Sequence, residues 1–491
     1  MMGGDDRGRE PLSGMDTALL SLETSTNLMV INGVMILAEP IAFDDLKAVV
    51  KERLLKIRRF QQRLMPSLGL LSTPVWQDDA NFRIENHLHR TRLPTSKSDR
   101  SALQNLVSEM VAVPLDRSRP LWAFHLVEGY GQGCALICRI HHSIGDGVSL
   151  IQVLLSITDS EPGRACGDEG EVPLVPVPEA GLARTLLRKG RSLVGHRPRL
   201  PRLAVRSRRV ASAVGQIVLA PPDPQTAFKG EIGVSKRIAW SGPIPLDRVK
   251  AIGCAMGGTV NDVLLTAASG ALRRYLQGRG ESADGITLHA AVPVNLRADG
   301  TERQLGNHVG TVFAPLPVGV ADPAARLRAV KCSMDRLKES YQAPVTFAAM
   351  RALGLAATPV QRMAVGILGG QATAIMTNVI GPRERRYLAG VPLDALLFWV
   401  PKTGGLALGV SILSYAGQVR LGVITDRGLV PDPEAIVAGF EAEFDELLAA
   451  ARDAQAAPTL QELEAKLDEA RALLEALKAR DSAGKNLGGR A

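Results

Sequence analysis

The sequence is poor in cysteine, in aromatic residues and in long apolar runs, and each shortage excludes a class of protein. Only five of its 491 residues are cysteines, and 4% are Phe, Trp or Tyr. An odd number of scattered cysteines does not form a disulfide framework, so we expect buried, reduced thiols. Cys134 and Cys138 lack the second pair of ligands that a structural zinc site needs, and we expect no metal.

The sequence also shows no candidate for a membrane-spanning segment. No stretch reaches the roughly 18 uninterrupted apolar residues of a spanning helix. The opening residues, MMGGDDRGREPLSGMD, contain no apolar signal core. With 46% hydrophobic and 22% charged residues the composition is that of an ordinary globular protein. We therefore expect a cytoplasmic protein that does not cross a membrane.

The positive charge is confined to one segment. The net charge is +8, yet the stretch between Glu179 and Asp223 carries ten Lys and Arg residues and no acid. Apolar residues are interleaved with its arginines at helical spacing, which predicts a surface for anionic lipid. The arginines expected to contact the membrane are Arg184, Arg188, Arg191, Arg202 and Arg206. The alternative is a crossover between domains whose arginines are solvated. The segment contains no aromatic residue that could stack on a base, which argues against nucleic-acid binding.

The chain divides into four parts. Residues 1–178 and 226–452 both mix strand-like and helix-like text, for example LMVINGVMIL, LWAFHLVEG and CALICRIHH in the first and TVNDVLLTAASGALRRYL in the second. Residues 179–225 form the basic linker. Residues 453–491 contain a capping box, Thr459 with Glu462, before a leucine repeat, which predicts a helix that docks on its own chain or on a second copy.

The stretch RIHHSIGDGVSL carries the most chemistry. It places two adjacent histidines, His141 and His142, at the end of an apolar strand, where successive side chains point to opposite faces. A neutral imidazole is suited to take a proton from a hydroxyl near neutral pH. We expect His142 to be that base. We expect Asp146 to tie the turn to a basic residue, and Gly147 to leave room for a ligand before a helix that starts near Val148.

At these residues the chain resembles the superfamily of coenzyme A-dependent acyltransferases with the HHxxxDG signature. Within it, the match narrows to the bacterial wax ester synthase/acyl-CoA:diacylglycerol acyltransferase family. The stretches that carry the resemblance are LSGMDTALLSLET, PLDRSRPLWAFHLVEG, HHSIGDGVSL, TVNDVLL, AVPVNLR, LGNHVGTVFAPLPVG and TNVIGP. The resemblance implies an α/β fold of two pseudo-duplicated chloramphenicol-acetyltransferase-like domains, with the active site in a tunnel between them, plus a C-terminal helix.

The resemblance also implies roles for individual residues. His142 acts as general base, with His141 beside it, and the acceptor hydroxyl attacks the acyl thioester directly. Asn261 orients the base or stabilises the oxyanion; a helix N-cap is its structural alternative. Asp146 pairs with one of Arg58, Arg59 and Arg63. The residues that match the family's PLW block, and are expected near the substrate or packed at a strand entry, are Pro120, Leu121 and Trp122.

The expected substrates follow from the family. Acyl-CoA is the donor and no cofactor is required, while diacylglycerol or a long-chain alcohol is the acceptor, giving triacylglycerol or wax ester. Such acceptors imply peripheral contact of a cytoplasmic enzyme with the inner membrane face or with lipid inclusions, and the tail helix allows self-association. Two alternatives stay open: an acyltransferase for a natural-product hydroxyl, and a non-catalytic lipid-binding or interaction protein.

Overall fold

A computed structural model describes residues 10–65, 74–94, 100–162, 221–296, 307–353, 358–402, 404–456 and 467–476. Within these ranges the strands form three sheets, and helices cover the two larger ones. The helices are α1 (Gly14–Leu22), α2 (Phe43–Glu52), α3 (Arg100–Met110), α4 (Gly147–Ser156), α5 (Leu246–Met256), α6 (Val260–Gly278), α7 (Pro323–Glu339), α8 (Gln342–Leu353), α9 (Thr358–Gly370) and α10 (Pro433–Ala456).

The first large sheet has six strands and contains the histidine motif. Its order is β13 (Tyr387–Leu388), β14 (Val391–Trp399), β2 (Val30–Leu37), β7 (Gly133–His141), β6 (Trp122–Tyr130) and β5 (Leu88–Arg92). The expected strands LMVINGVMIL, LWAFHLVEG and CALICRIHH are β2, β6 and β7. Every residue of β7 is buried, which explains why its text is a continuous apolar run and not an alternating one.

The second large sheet has seven strands. Its path is β11 (Val309–Leu316), β10 (Leu288–Asn295), β12 (Ala374–Ile380), β15 (Leu408–Tyr415), β16 (Gln418–Asp426) and β8 (Lys236–Trp240), and β9 (Ile244–Pro245) pairs with β16. A small third sheet joins β1 (Glu10–Pro11), β4 (Val75–Asp78) and β3 (Gln62–Met65). The expected mixed α/β architecture of two sheet-rich domains is confirmed.

Sheet membership does not follow the domain boundaries expected from the sequence. Strands β13 and β14 lie within 226–452, yet β14 pairs antiparallel with β2 of the first sheet, from Trp399 opposite Asn32 to Leu393 opposite Leu37. Conversely, α1 comes from the first part of the chain but packs against α8 and α9 of the second. The two halves therefore exchange elements, and a surface between them is formed by both.

Helix α6 is a core helix, with most of its residues between Asp262 and Leu276 buried. No single helix in the described ranges is long and apolar enough to cross a membrane; α5 and α6 pass that test only as a pair bent by 97°. The described part of the tail, 467–476, is helical and exposed throughout. Its apolar side chains Leu467, Leu473 and Leu474 make no buried contact with the body, so docking on the same chain is not seen for this part.

Candidate active site

An apolar cavity of about 150 Å³, inside a wider space of about 1000 Å³ that includes open solvent, lies between elements of both halves of the chain. The first half contributes residues of α1 and the stretch that follows it. The second half contributes β10, β11, α8 and α9. The lining residues are Met15, Leu19, Leu22, Met29, His142, Ala291, Pro293, Asn307, Val309, Thr311, Phe313, Thr346, Met350, Val365, Leu368, Gly369, Ala372, Ile375, Pro401 and Leu406.

One wall of the cavity depends on a close approach between α8 and β11. A Cβ atom added to Gly310 would lie 2.1 Å from the carbonyl oxygen of Ala343, so only glycine allows this contact. Thr346 of α8 then joins the strand edge: its Oγ1 accepts a hydrogen bond from the Thr311 amide (2.7 Å) and donates to the Thr311 carbonyl (2.9 Å). Thr311 and Thr346 are thereby held as polar points on a mainly apolar wall.

His142 lies at this cavity, immediately after the last residue of β7. Its backbone amide donates to the Met29 carbonyl (2.7 Å) and its side chain is half-buried. No hydrogen bond from another described residue occupies its Nδ1. Burial lowers the pKa of His142, and the nearby Asp146 and Asp16 partly oppose that effect. A neutral imidazole at the wall of an apolar cavity has the protonation state of a general base.

His141 faces the other way and is held rigidly. Its Nδ1 accepts a hydrogen bond from the Ser143 amide (3.1 Å), so its proton lies on Nε2, which donates to Glu23 Oε2 (3.0 Å). Burial alone would raise the pKa of Glu23, but hydrogen bonds from His141, Arg117 and the Met29 amide outweigh it and lower that pKa to about 2. His141 therefore anchors the end of β7 to the end of α1.

Asp146 is fully buried and caps α4. Its Oδ1 accepts from the Ser149 amide (3.0 Å) and hydroxyl (2.8 Å), and its Oδ2 accepts from the His308 amide (3.3 Å). The expected pairing with an early arginine is wrong for Arg58 and Arg59. These two bind Asp78 (2.6 Å) and Glu10 (2.7 Å) beside the small sheet, and Arg63 makes no ion pair with Asp146 in the described structure.

Other expected site residues have structural places. Gly147 is the first residue of α4, and a Cβ there would make an ordinary contact with Val400 at 3.8 Å. Pro120, Leu121 and Trp122 are buried and do not line the cavity. The Trp122 Nε1–H donates to the Phe60 carbonyl (2.8 Å) and its ring stacks on His87. The strand-entry interpretation fits them, and contact with substrate stays a prediction.

Asn261 lies in the first turn of α6 and is not its N-cap. Thr259 caps this helix, in a reciprocal capping box with Asp262. Asn261 Oδ1 instead accepts a hydrogen bond from Asn378 Nδ2 of β12 (3.1 Å), and Asn261 is not a lining residue of the cavity. Its expected action on the base or the oxyanion stays a prediction.

The sequence analysis missed Asn307, which lines the cavity, and Asp16 of α1, which is hydrogen-bonded to it. Asp16 and Asn307 lie within the stretches LSGMDTALLSLET and LGNHVGTVFAPLPVG, which carry the family resemblance, but neither spacing nor composition singles them out. Both are buried, and Asn307 Nδ2 donates to Asp16 Oδ1 (2.6 Å) and to the His142 carbonyl (2.8 Å). Only the fold brings Asp16 and Asn307 together, because 291 residues separate them in the sequence.

Several expectations fall elsewhere. Cys134 and Cys138 are buried free thiols as expected, but Cys254 and Cys332 are exposed on the outer faces of α5 and α7. Cys166 lies outside the described residues, and so do Arg184, Arg188, Arg191, Arg202, Arg206 and the Thr459–Glu462 capping box. Among the described residues no group of histidines, cysteines and carboxylates has the arrangement of a metal site.

Comparison with known proteins decides the family. Residues 12–264 match the wax ester synthase/diacylglycerol acyltransferase catalytic domain, and residues 305–448 match the C-terminal domain of the same family. The chain belongs to this family. Wax ester synthase/diacylglycerol acyltransferase family members are acyltransferases that use acyl-CoA, and the HHSIGDG motif of this chain lies inside the catalytic match.

Individual relatives agree over almost the whole length. A probable diacylglycerol O-acyltransferase of Mycobacterium tuberculosis is 30% identical over 454 residues, which is 88% of this chain and 97% of that protein. The wax ester synthase/diacylglycerol acyltransferase from Marinobacter aquaeolei VT8 is 25% identical, with a TM-score of 0.66 over 90% of this chain and 99% of that one. A condensation domain of the calcium-dependent antibiotic synthetase is 16% identical (TM-score 0.59; 91% and 97% covered) and shares the fold.

Proposed function

We propose that this family acyltransferase moves a long-chain acyl group from acyl-CoA to the hydroxyl of diacylglycerol or a fatty alcohol, with His142 as general base. The observation that carries the proposal is the imidazole of His142 at the wall of an apolar cavity. The names of the Mycobacterium tuberculosis and Marinobacter relatives support these products, triacylglycerol and wax ester.

The reaction needs no acyl-enzyme. The neutral His142 imidazole takes the proton of the acceptor hydroxyl while the hydroxyl oxygen attacks the thioester carbonyl carbon. The tetrahedral intermediate collapses, the carbon–sulfur bond breaks, and the imidazolium returns the proton to the departing CoA thiolate. The absence of a G-x-S-x-G nucleophile elbow from the sequence agrees with direct attack.

The apolar lining of the cavity supports apolar substrates. Most of its lining side chains are aliphatic, with Met15, Leu19 and Leu22 of α1 facing residues of β11 and α8. Burying an alkyl chain there gains about 0.8 kcal/mol per methylene. A long acyl chain or a long acceptor therefore supplies most of its own binding free energy.

We also propose that the enzyme works on a phospholipid membrane and approaches it with the outer face of α9. Val360, Met363 and Ile367 repeat at helical spacing and are 46%, 64% and 58% exposed. Val365, Leu368 and Gly369 of the same helix line the cavity. Helix α9 thus separates the reaction space from solvent, and contact of its outer face with lipid would bring apolar substrates to the cavity rim.

Replacing His142 with alanine tests the proposal. With palmitoyl-CoA as donor and hexadecanol or dioleoylglycerol as acceptor, ester formation should fall by at least about a hundredfold, the usual contribution of a general base. His289→Ala is the matched control, because that histidine pairs with Asp223 outside the cavity lining. Unchanged ester yield in His142→Ala would refute the proposed function; the ratio of the two acceptors in the wild type assigns the product.

A further inference from the structure

A buried carboxylate close to His142 has no part in the reaction described above. Asp16 is 7% exposed, although it lies on the short helix α1 at the cavity. Its Oδ2 accepts a hydrogen bond from the Ser13 hydroxyl (2.7 Å), and its Oδ1 accepts from Asn307 Nδ2 (2.6 Å). An unneeded carboxylate is seldom kept in such a place, because desolvating it is unfavourable.

Asn307 connects this carboxylate to the catalytic histidine. Its Nδ2 contacts two acceptors, Asp16 Oδ1 and the His142 carbonyl at 2.8 Å, so the orientation of the amide is fixed by chemistry. Among the residues that the structure describes, none donates a hydrogen bond to its Oδ1, although Asn307 is only 5% exposed. Asn307 therefore donates one N–H group to Asp16 of α1 and the other to the backbone carbonyl of His142.

The neighbouring residue holds the other end of the same loop. The His308 amide donates to Asp146 Oδ2 at 3.3 Å. Residues 307 and 308 thus bind both His142 and Asp146 of the HHSIGDG motif. Asn307 is in turn held by the carboxylate of Asp16.

The charges that face His142 come from three directions. Asp146 at the start of α4 and Asp16 of α1 favour its protonated form, while His141 of β7 disfavours it. For Asp16, burial raises the pKa; the bonds from Asn307 and Ser13 and the positive charges of His142 and Arg59 act against that. Asp16 and His142 therefore interact electrostatically as well as through Asn307.

We propose that Asp16 is a positioning residue, which fixes the backbone of His142 through Asn307 and stabilises the positive charge that His142 gains when it accepts the proton. This inference rests on the proposed role of His142. It assigns to the N-terminal helix a part in the transition state and not only in lining the cavity. The carboxylate acts from a distance through an amide, and it touches no reacting atom.

The decisive variant is Asp16→Asn, which still offers an oxygen to Asn307 but carries no charge. We expect kcat for palmitoyl-CoA and hexadecanol to fall by about tenfold or more, with KM changed by less than about twofold. We also expect the acidic limb of kcat/KM to move to lower pH, because removing a negative charge makes His142 harder to protonate. Asp322→Asn, which removes the carboxylate capping α7 at the surface, is the control and should change neither.

Asn307→Ala is the second variant, and it removes the bridge while leaving the carboxylate. It should lower kcat and leave the acidic limb of kcat/KM at nearly the wild-type pH. It also keeps the test usable if circular dichroism shows that Asp16→Asn does not fold. A wild-type pH profile and a wild-type kcat in whichever variants fold would overturn the positioning role. Loss of activity in His142→Ala alongside that result would leave the general base intact and reject Asp16 alone, whereas an active His142→Ala would reject the proposed function itself.

Discussion

The mostly buried carboxylate of Glu23, hydrogen-bonded to His141, allows a quantitative prediction. Glu23 follows the last residue of α1, and its side chain is 10% exposed. It accepts hydrogen bonds from His141 Nε2 (3.0 Å), the Met29 amide (2.9 Å) and Arg117 (2.7 Å). The substitution Glu23→Gln keeps the shape and removes the charge that these three donors share.

The magnitude follows from the pKa of Glu23. Each pH unit between the unfolded value of 4.5 and the folded value of about 2 corresponds to about 1.4 kcal/mol, so the ionised carboxylate adds up to about 3 kcal/mol to the free energy of unfolding. Because the folded pKa is depressed, this stabilisation is fully present above pH 4.5. It is lost as the pH falls from there towards about 2.

Urea unfolding followed by tryptophan fluorescence measures the effect, since Trp76 and Trp122 are buried in the core that contains β7. At neutral pH, Glu23→Gln should unfold with a free energy lower by up to about 3 kcal/mol, and the difference should shrink as the pH falls below 4.5. Asp78→Asn, which breaks the exposed pair with Arg58, should cost no more than about 1 kcal/mol. A difference for Glu23→Gln that is small at neutral pH, or constant with pH, would refute the reasoning.

Three further predictions concern the reaction and the surfaces expected to contact lipid. Because burial lowers the pKa of His142, kcat/KM should rise with pH along a limb whose midpoint lies below pH 6.5. A midpoint above pH 6.5 would contradict a neutral base whose pKa is lowered by burial. The double variant Met363→Ser with Ile367→Ser should sediment less with phosphatidylcholine vesicles but keep its activity on detergent-dispersed substrate. Val234→Ser, at an exposed valine elsewhere, is the control. If the double variant sediments as much as the wild type, the α9 surface is rejected. Neutralising four arginines between Arg184 and Arg206 should instead weaken binding to anionic vesicles alone, and unchanged binding would reject their role.

Much of the histidine motif could be predicted because its chemistry is local. An apolar run followed by two histidines and a glycine-containing turn indicates a buried strand, a change of face and a helix start, and β7 and α4 have these features. The alternation of faces along a strand also separates the two histidines. His141 is bound to Glu23 and His142 lies at the cavity. Local geometry was sufficient for both.

Pairing over long distances could not be predicted in the same way. The sequence of β14 contains no feature that identifies it as a neighbour of β2, since any apolar strand can take that position in a sheet. The partners of Arg58 and Arg59 depend on the small sheet that brings Asp78 and Glu10 to them. A resemblance that places an arginine near Asp146 cannot distinguish among adjacent arginines, because one residue along a turn changes the direction of the side chain.

The exchange of elements between the two halves explains why the site is built from both. The cavity opens between α1, which comes from the first half, and β10, β11, α8 and α9 of the second. The loop that carries His142 is in turn held from the second half by Asn307 and His308. A relative motion of the halves would therefore break the hydrogen bonds at His142 and change the cavity width together. The position of the base and the space for the acyl chain are consequently set by the same contacts, so a substitution in that interface should alter chain-length preference and turnover jointly.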